Sequence, residues 1–381
     1  MSTNRRGTVS AAAIVALTLA LALMVAACSS SAPSKGAAVP PGMVDGALVR
    51  FDEPVTLRVL AHDSFAVSAE VLEEFERETN VRVELVQAGD AVTMTNAAIL
   101  TAGNPVADVI FGIDENLLGA VGAARLVVPY AAVRLADVDP AYASVVEGGL
   151  VTPIDHAEVC VNFDRDAFTG AGRALPRTFE DLTAREHAGQ LVVQDPASST
   201  PGLAFMLATI ARFGGGDDTS ADAAWLRYWK ALKANGVKVV DGWETAYYSE
   251  FSGGSGEGTR PLVVSYASSP PAEVADTSVA VDATPTGVMT ATCYRQIEFA
   301  GILRGARHPE AAAAFIEFML GRSFQADMPL QMYVYPVVSG TPLPDTFAKY
   351  TAVVAEPLSL PYAQVAANRD RWVGQWSELF R

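Results

Sequence analysis

Residues 55–102 read VTLRVLAHDSFAVSAEVLEEFERETNVRVELVQAGDAVTMTNAAILTA. Two short β-branched runs, 55–60 and 81–86, alternate with stretches 68–79 and 90–102 whose apolar residues recur at helical spacing. Around the first helix Val67, Val71, Leu72 and Phe75 share one face, while Glu70, Glu73, Glu74 and Arg77 share another. That is α/β order. Outward from this unit, residues 109–111 continue the sheet, and a strand at 159–163 carries the chain into a second α/β set. The second set has strands at 191–193 and 262–266 and helices at 201–213 and 223–234. A strand at 296–303 and the alanine-rich helix 309–320 bring the chain back, and 362–380 has the spacing of a final packed helix. Two crossings between lobes predict a hinged clamshell with a cleft between its halves. The expected division is a first lobe over 50–155, a second over 156–297, and a return to the first lobe with C-terminal helices over 298–381. One hydrophobic core seldom holds so many residues, which favours two lobes on size alone.

At the N-terminus, Arg5 and Arg6 precede a 17-residue apolar run over 11–27, interrupted only by Thr18. This is the layout of a secretory signal peptide over 1–27. The run ends in Val25-Ala26-Ala27-Cys28, small residues before a cysteine, as cleavage by the lipoprotein signal peptidase requires. Cys28 is the expected lipid attachment, with the protein held at the outer face of the cytoplasmic membrane. A membrane-spanning helix fits less well: the run is at the short end of the roughly 17 to 25 residues needed, and no basic cluster follows. Residues 28–49, which open on small and Pro-kinked residues with little to bury, are expected to be a flexible tether.

The chain has 27 basic and 43 acidic side chains and a formal charge of −16. Loss of Arg5 and Arg6 with the signal peptide makes this −18. Nucleic acid is disfavoured as a partner, and cations are drawn to such a surface. Beyond Cys28 the cysteines are Cys160 and Cys293, an even pair in an oxidising compartment. A disulfide and two buried free thiols both stay open.

No nucleophile elbow, phosphate loop, metalloprotease helix or dinucleotide fingerprint occurs. The four histidines, His62, His156, His187 and His308, are scattered, and Gly214 to Gly216 with Asp217 and Asp218 read as a loop. Binding is therefore favoured over catalysis, with no cofactor and no metal expected. Polar and aromatic clusters sit instead where strands end, the usual ligand position in open α/β sheets. His62-Asp63-Ser64-Phe65 follows the first strand, and Gly89-Asp90-Ala91 opens a helix. For Asp90, a helix N-cap and a ligand carboxylate weigh equally. Ser198-Ser199-Thr200-Pro201 starts another helix, where free N–H groups suit a polar oxygen or an anion. Trp243-Glu244-Thr245-Ala246-Tyr247-Tyr248 and Tyr266-Ala267-Ser268-Ser269 set rings beside hydroxyls. Such groups suit a flat, partly charged heterocycle, since a cation over an aromatic face gains about 0.5 to 2 kcal/mol. Core packing explains Trp243 or Tyr266 equally well when each is taken singly.

Asp63-Ser64-Phe65-Ala66, the stretch 108–118, Gln194-Asp195-Pro196 with Ser199 to Leu203, Gly242-Trp243 with Ala246-Tyr247, Ser265-Tyr266 with Ser269-Pro270, and Tyr335-Pro336-Val337 together resemble, in collinear order, the thiamine-binding receptors of ABC importers. The resemblance implies a type II periplasmic-binding-protein fold, with thiamine or its mono- or diphosphate held between the lobes. It implies a monomer that delivers this ligand to a membrane permease and its ATPase. By matched position, Asp90 and Ala91 would line the first lobe. Ser199 and Thr200 would face the hydroxyethyl or phosphate end, and Trp243, Tyr247 and Tyr266-Ala267-Ser268-Ser269 would form the second wall. His62 stands where the family has tyrosine, and Tyr333 where it has tryptophan. Two other readings compete. One is a ferric-iron receptor of the same superfold using Tyr247, Tyr248 and His62; the other is an exported hydrolase with a dispersed site.

Overall fold

The computed structural model describes residues 39–144, 149–169, 172–254, 257–274 and 282–381. The expected signal peptide, Cys28 and the first half of the expected tether, to residue 38, lie outside the described residues. A small hairpin of β1 (Met43–Val44) and β2 (Ala47–Leu48) opens the described chain. Val39, Leu48 and Phe51 pack on the first-lobe core. Gly42 lies against the backbone of Ala313 and Ala314, with no room for a Cβ, and its N–H donates to the Tyr130 hydroxyl at 3.0 Å. The tether expected to reach residue 49 therefore ends sooner, because Val39, Leu48 and Phe51 do find apolar surface to bury.

The main sheet begins with β3 (Val55–Ala61), β4 (Val81–Gln87) and β5 (Val109–Asp114), a parallel set in the order β4-β3-β5. Helix Ala69–Thr79 covers it through Val71 and Phe75, and Phe75 packs on Phe315 and Phe318 of helix Pro309–Met319 with ring centroids 5.1 Å apart. Asn80 ends the first helix in the left-handed region at φ 64°, a conformation asparagine accepts more readily than most residues.

Two long strands then join the halves. β7 (Thr152–Asp164) and β11 (Thr286–Leu303) run antiparallel over most of their length. The far end of β11 pairs with β5, and with the short β6 (Val127–Val128). The far end of β7 pairs with β10 (Leu262–Tyr266). Beyond β10 lie β8 (Leu191–Gln194) and β9 (Lys238–Val240), completing a ten-stranded sheet in which the short β12 (Tyr335–Pro336) also pairs with β7. The structure joins Cys160 of β7 to Cys293 of β11 by a disulfide. The crossing strands expected at 159–163 and 296–303 are much longer than their β-branched cores, because each serves both halves.

Helix Thr200–Phe213 is buried from Thr200 to Ile210, since the sheet covers one side and helix Ala224–Ala234 another. Its all-round apolar sequence fits such enclosure. The C-terminal helix Tyr362–Phe380 contacts both halves. Ala366 leaves Gly119 no room for a Cβ, while Trp376 meets Trp229 edge-on at 5.4 Å and Trp372 Nε1 donates to Gly216 O at 2.7 Å.

Candidate ligand cleft

A cleft of about 700 Å³ opens between the halves. Nine of the twelve residues expected to contact ligand line it: His62, Asp90, Ala91, Thr200, Trp243, Tyr247, Tyr266, Ser269 and Tyr333. Ser199, Ala267 and Ser268 do not reach its surface and are wholly buried. At the end of β10 the chain turns so that Tyr266 and Ser269 face the cleft while Ala267 packs on the disulfide. Ser199, the residue before helix Thr200–Phe213, points inward and leaves Thr200 to front the cleft.

Asp90 is the helix N-cap foreseen for it, and it also bonds across the cleft. One oxygen accepts from Ala91 N at 2.7 Å, capping helix Ala91–Leu100, and from Thr200 N across the cleft at 3.3 Å. The other accepts from Trp243 N at 3.1 Å, so three backbone donors from both halves converge on this carboxylate. Thr93 N adds a further cross-cleft bond to Ser198 O at 3.0 Å. Burial raises the pKa of Asp90, opposed by the bonds from Trp243 and Ala91, by Ser199 and by the charge of His62.

The aromatic wall is built on a wide helical turn, Thr245–Glu250, of π geometry, a form found often at functional sites. Trp243 stacks on Tyr247 at 4.9 Å and 19°, and its Nε1 donates to Ser265 Oγ at 3.0 Å. Ser265 Oγ in turn meets Ser269 Oγ at 2.8 Å, which fixes the indole plane. The Tyr247 hydroxyl donates to Glu273 at 2.6 Å, so this tyrosine offers its ring and not its oxygen. Burial, then the Glu273 carboxylate, pushes its pKa well above 10. Tyr333 closes one side at φ 55°. A bulky residue in the left-handed region is an outlier of the kind that gathers at ligand sites.

Glu298, missed in the sequence reading, lies at the cleft floor on β11. Its signal was there: a charged residue inside a strand otherwise apolar from 297 to 303. His62 Nε2 stands 3.7 Å from Glu298 Oε1. The imidazole lies over Gly112, at φ 91°, where any side chain would collide with it. Burial alone would lower the pKa of His62, but the charges of Glu298, Asp90 and Asp63 outweigh it and raise the value. The register pairs Glu298 with Asp114 on one side and Asp155 on the other. Paired residues share a sheet face, so the three carboxyls form one row. Burial pushes Asp114 up to about 7 and Asp155 well above the ordinary carboxyl range.

With this geometry in view, the relatives are informative. Residues 63–326 match the model of the bacterial extracellular solute-binding proteins, and the chain belongs to that family. Its fold is the two-lobed type II periplasmic-binding-protein clamshell. More particularly, it is similar to the thiamine-binding periplasmic protein of Escherichia coli (strain K12), 30% identical over 86% of this chain and 93% of that one. A thiamine-binding periplasmic protein of Brucella suis is 29% identical over 84% and 91%. The solved structure of a periplasmic thiamin binding protein superposes with a TM-score of 0.73 at 27% identity, covering 90% of this chain and 99% of that one.

Proposed function

We propose that this protein is the extracytoplasmic receptor of an ABC importer, capturing thiamine or its mono- or diphosphate and presenting it to the permease. The observation that carries this reading is the pairing, across one cleft, of the Asp90 and Glu298 carboxyls with the Trp243–Tyr247 stack. Thiamine has a permanently cationic thiazolium, a flat aminopyrimidine with hydrogen-bonding edges and an alcohol tail. Carboxylates answer the first, rings the second, and the hydroxyl of Thr200 the third. The relatives that are thiamine-binding proteins support the same ligand. Calorimetry of the full chain should give low-micromolar or tighter binding, at least about 8 kcal/mol. No heat with thiamine or either phosphate would defeat the proposal.

In this reading the protein works as a monomer, without catalysis, lipid-anchored through Cys28 beside a permease served by an ATPase. Ligand stabilises the closed form by contacting both halves, which requires higher affinity for closed than open. X-ray scattering unchanged by saturating ligand would count against closure. The iron reading is weakened because the Tyr247 hydroxyl is committed to Glu273. A visible charge-transfer band on adding ferric ion would restore it. Thiamine or ester turnover that is lost on changing a histidine would restore the hydrolase.

A further inference from the structure

The cleft floor holds more acid than one cation needs. Asp114, Glu298 and Asp155 stand in one cross-strand row, fully or almost fully buried. Two register shifts flank the row, one after Glu298 against β7 and one after Phe299 against β5. Bulges of this kind re-aim side chains and are frequent beside binding sites. Asp155, 0% exposed, lies behind the cleft surface against the Glu298 carboxyl, an acid pair that must share a proton to bond, while Glu298 and His62 line the cleft 3.7 Å apart. The row therefore leads from the cleft into the core. Gln296 Nε2 reaches Glu298 Oε1 only at 3.4 Å.

The charged groups facing this floor come from every side. Asp63 and Asp90 act on His62, Glu115 lies beside Asp114, and Tyr266 covers the row from the second half. Arg369 of the C-terminal helix acts on Asp114, and Arg295 on Glu115. Asp63 and Arg295 stand exposed, but burial raises the pKa of Asp90, Asp114, Glu115 and Asp155, so this floor favours holding protons.

We propose that the cationic group of the ligand seats at Glu298 beside His62 and enters in exchange for a proton. The His62 imidazolium N–H, or a carboxyl O–H of the row, gives its proton to solvent as the ligand's charge arrives. One positive charge enters and one leaves, so the buried floor keeps its charge. This rests on the thiamine reading, whose thiazolium is a fixed cation and brings no proton of its own. Affinity should rise with pH through the His62 titration, by up to about tenfold per pH unit for one exchanged proton.

The test is calorimetry of the full chain with thiamine at pH 7 in phosphate and in Tris, buffers with very different heats of protonation. The expected result is a heat difference showing net proton release on binding, with Kd tightening as pH rises through the His62 titration. Glu298→Gln should weaken binding and remove the buffer dependence, and His62→Gln should remove most of it. In the ligand-free protein, NMR of ¹³C-labelled histidine should place His62 above 6.5 and show it falling in Glu298→Gln. Thiamine binding with equal heats in both buffers overturns the exchange and leaves the receptor standing; this comparison needs no variant to fold. A His62 titration unmoved in folded Glu298→Gln also overturns it. No thiamine binding at all overturns the receptor reading and the exchange with it.

Discussion

The two walls of the cleft differ in how they are held. The charged wall rests on regular structure: Asp90 caps a helix, and Glu298 sits in a strand-to-strand register. The aromatic wall rests on an irregular π turn, with its rings locked by one another and by Ser265. The contrast has a physical basis. A buried charge is costly unless its donors are fixed, and backbone N–H groups at a helix end are the most fixed donors available. A ring needs only a partner face and tolerates small shifts.

The sharpest break of this comparison is at Asp90. Asp90→Ala should cost about 2 to 5 kcal/mol of ligand affinity, the usual loss on removing one member of a buried charged contact. Asp90→Asn keeps a good N-cap but sets an N–H₂ donor where one oxygen accepts from Trp243 N, so a loss of affinity larger than the loss of folding stability would assign the effect to charge. Next is the Cys160–Cys293 bridge between the hinge strands. Its double serine variant should lose about 2 to 4 kcal/mol of stability by denaturant unfolding. Trp243→Ala should cost affinity by about 0.5 to 2 kcal/mol, the range of a cation over a ring, whereas Trp243→Phe should recover part of it. If Asp90→Ala proves milder than Trp243→Ala, the charged wall is not the dominant one. Tyr247→Phe keeps the ring but removes one donor from Glu273, which retains those of Thr286, and should lower stability by about 1 kcal/mol with affinity unchanged; a large affinity loss would mean that the hydroxyl reaches ligand.

Much of the fold was legible because it is local. The run 55–102 shows its strand and helix periods directly, and the two helices sit within two residues of where their spacing puts them. Asp90 was also legible, since a cap announces itself beside the helix it starts. Ser199, Ala267 and Ser268 were not separable from their neighbours Thr200, Tyr266 and Ser269. Strand ends mark a neighbourhood, but only the turn that follows decides which side chains face the cleft. Glu298, Asp114 and Asp155 lie far apart in the chain and meet only through register. Their row depends on two bulges, one of them admitting the positive-φ Gly112 under His62. Nothing local in the sequence announces such a meeting.

The hairpin at residues 43–48 has a mechanical consequence. Gly42 is wedged against helix Pro309–Met319 and bonded to Tyr130, whose hydroxyl in turn donates to Glu317 of that helix at 2.6 Å. A load applied to the chain ahead of Val39 therefore enters the body through the half that carries Asp90, never through the half that carries Trp243. The segment from Val39 is thus built into the charged jaw and not the aromatic one.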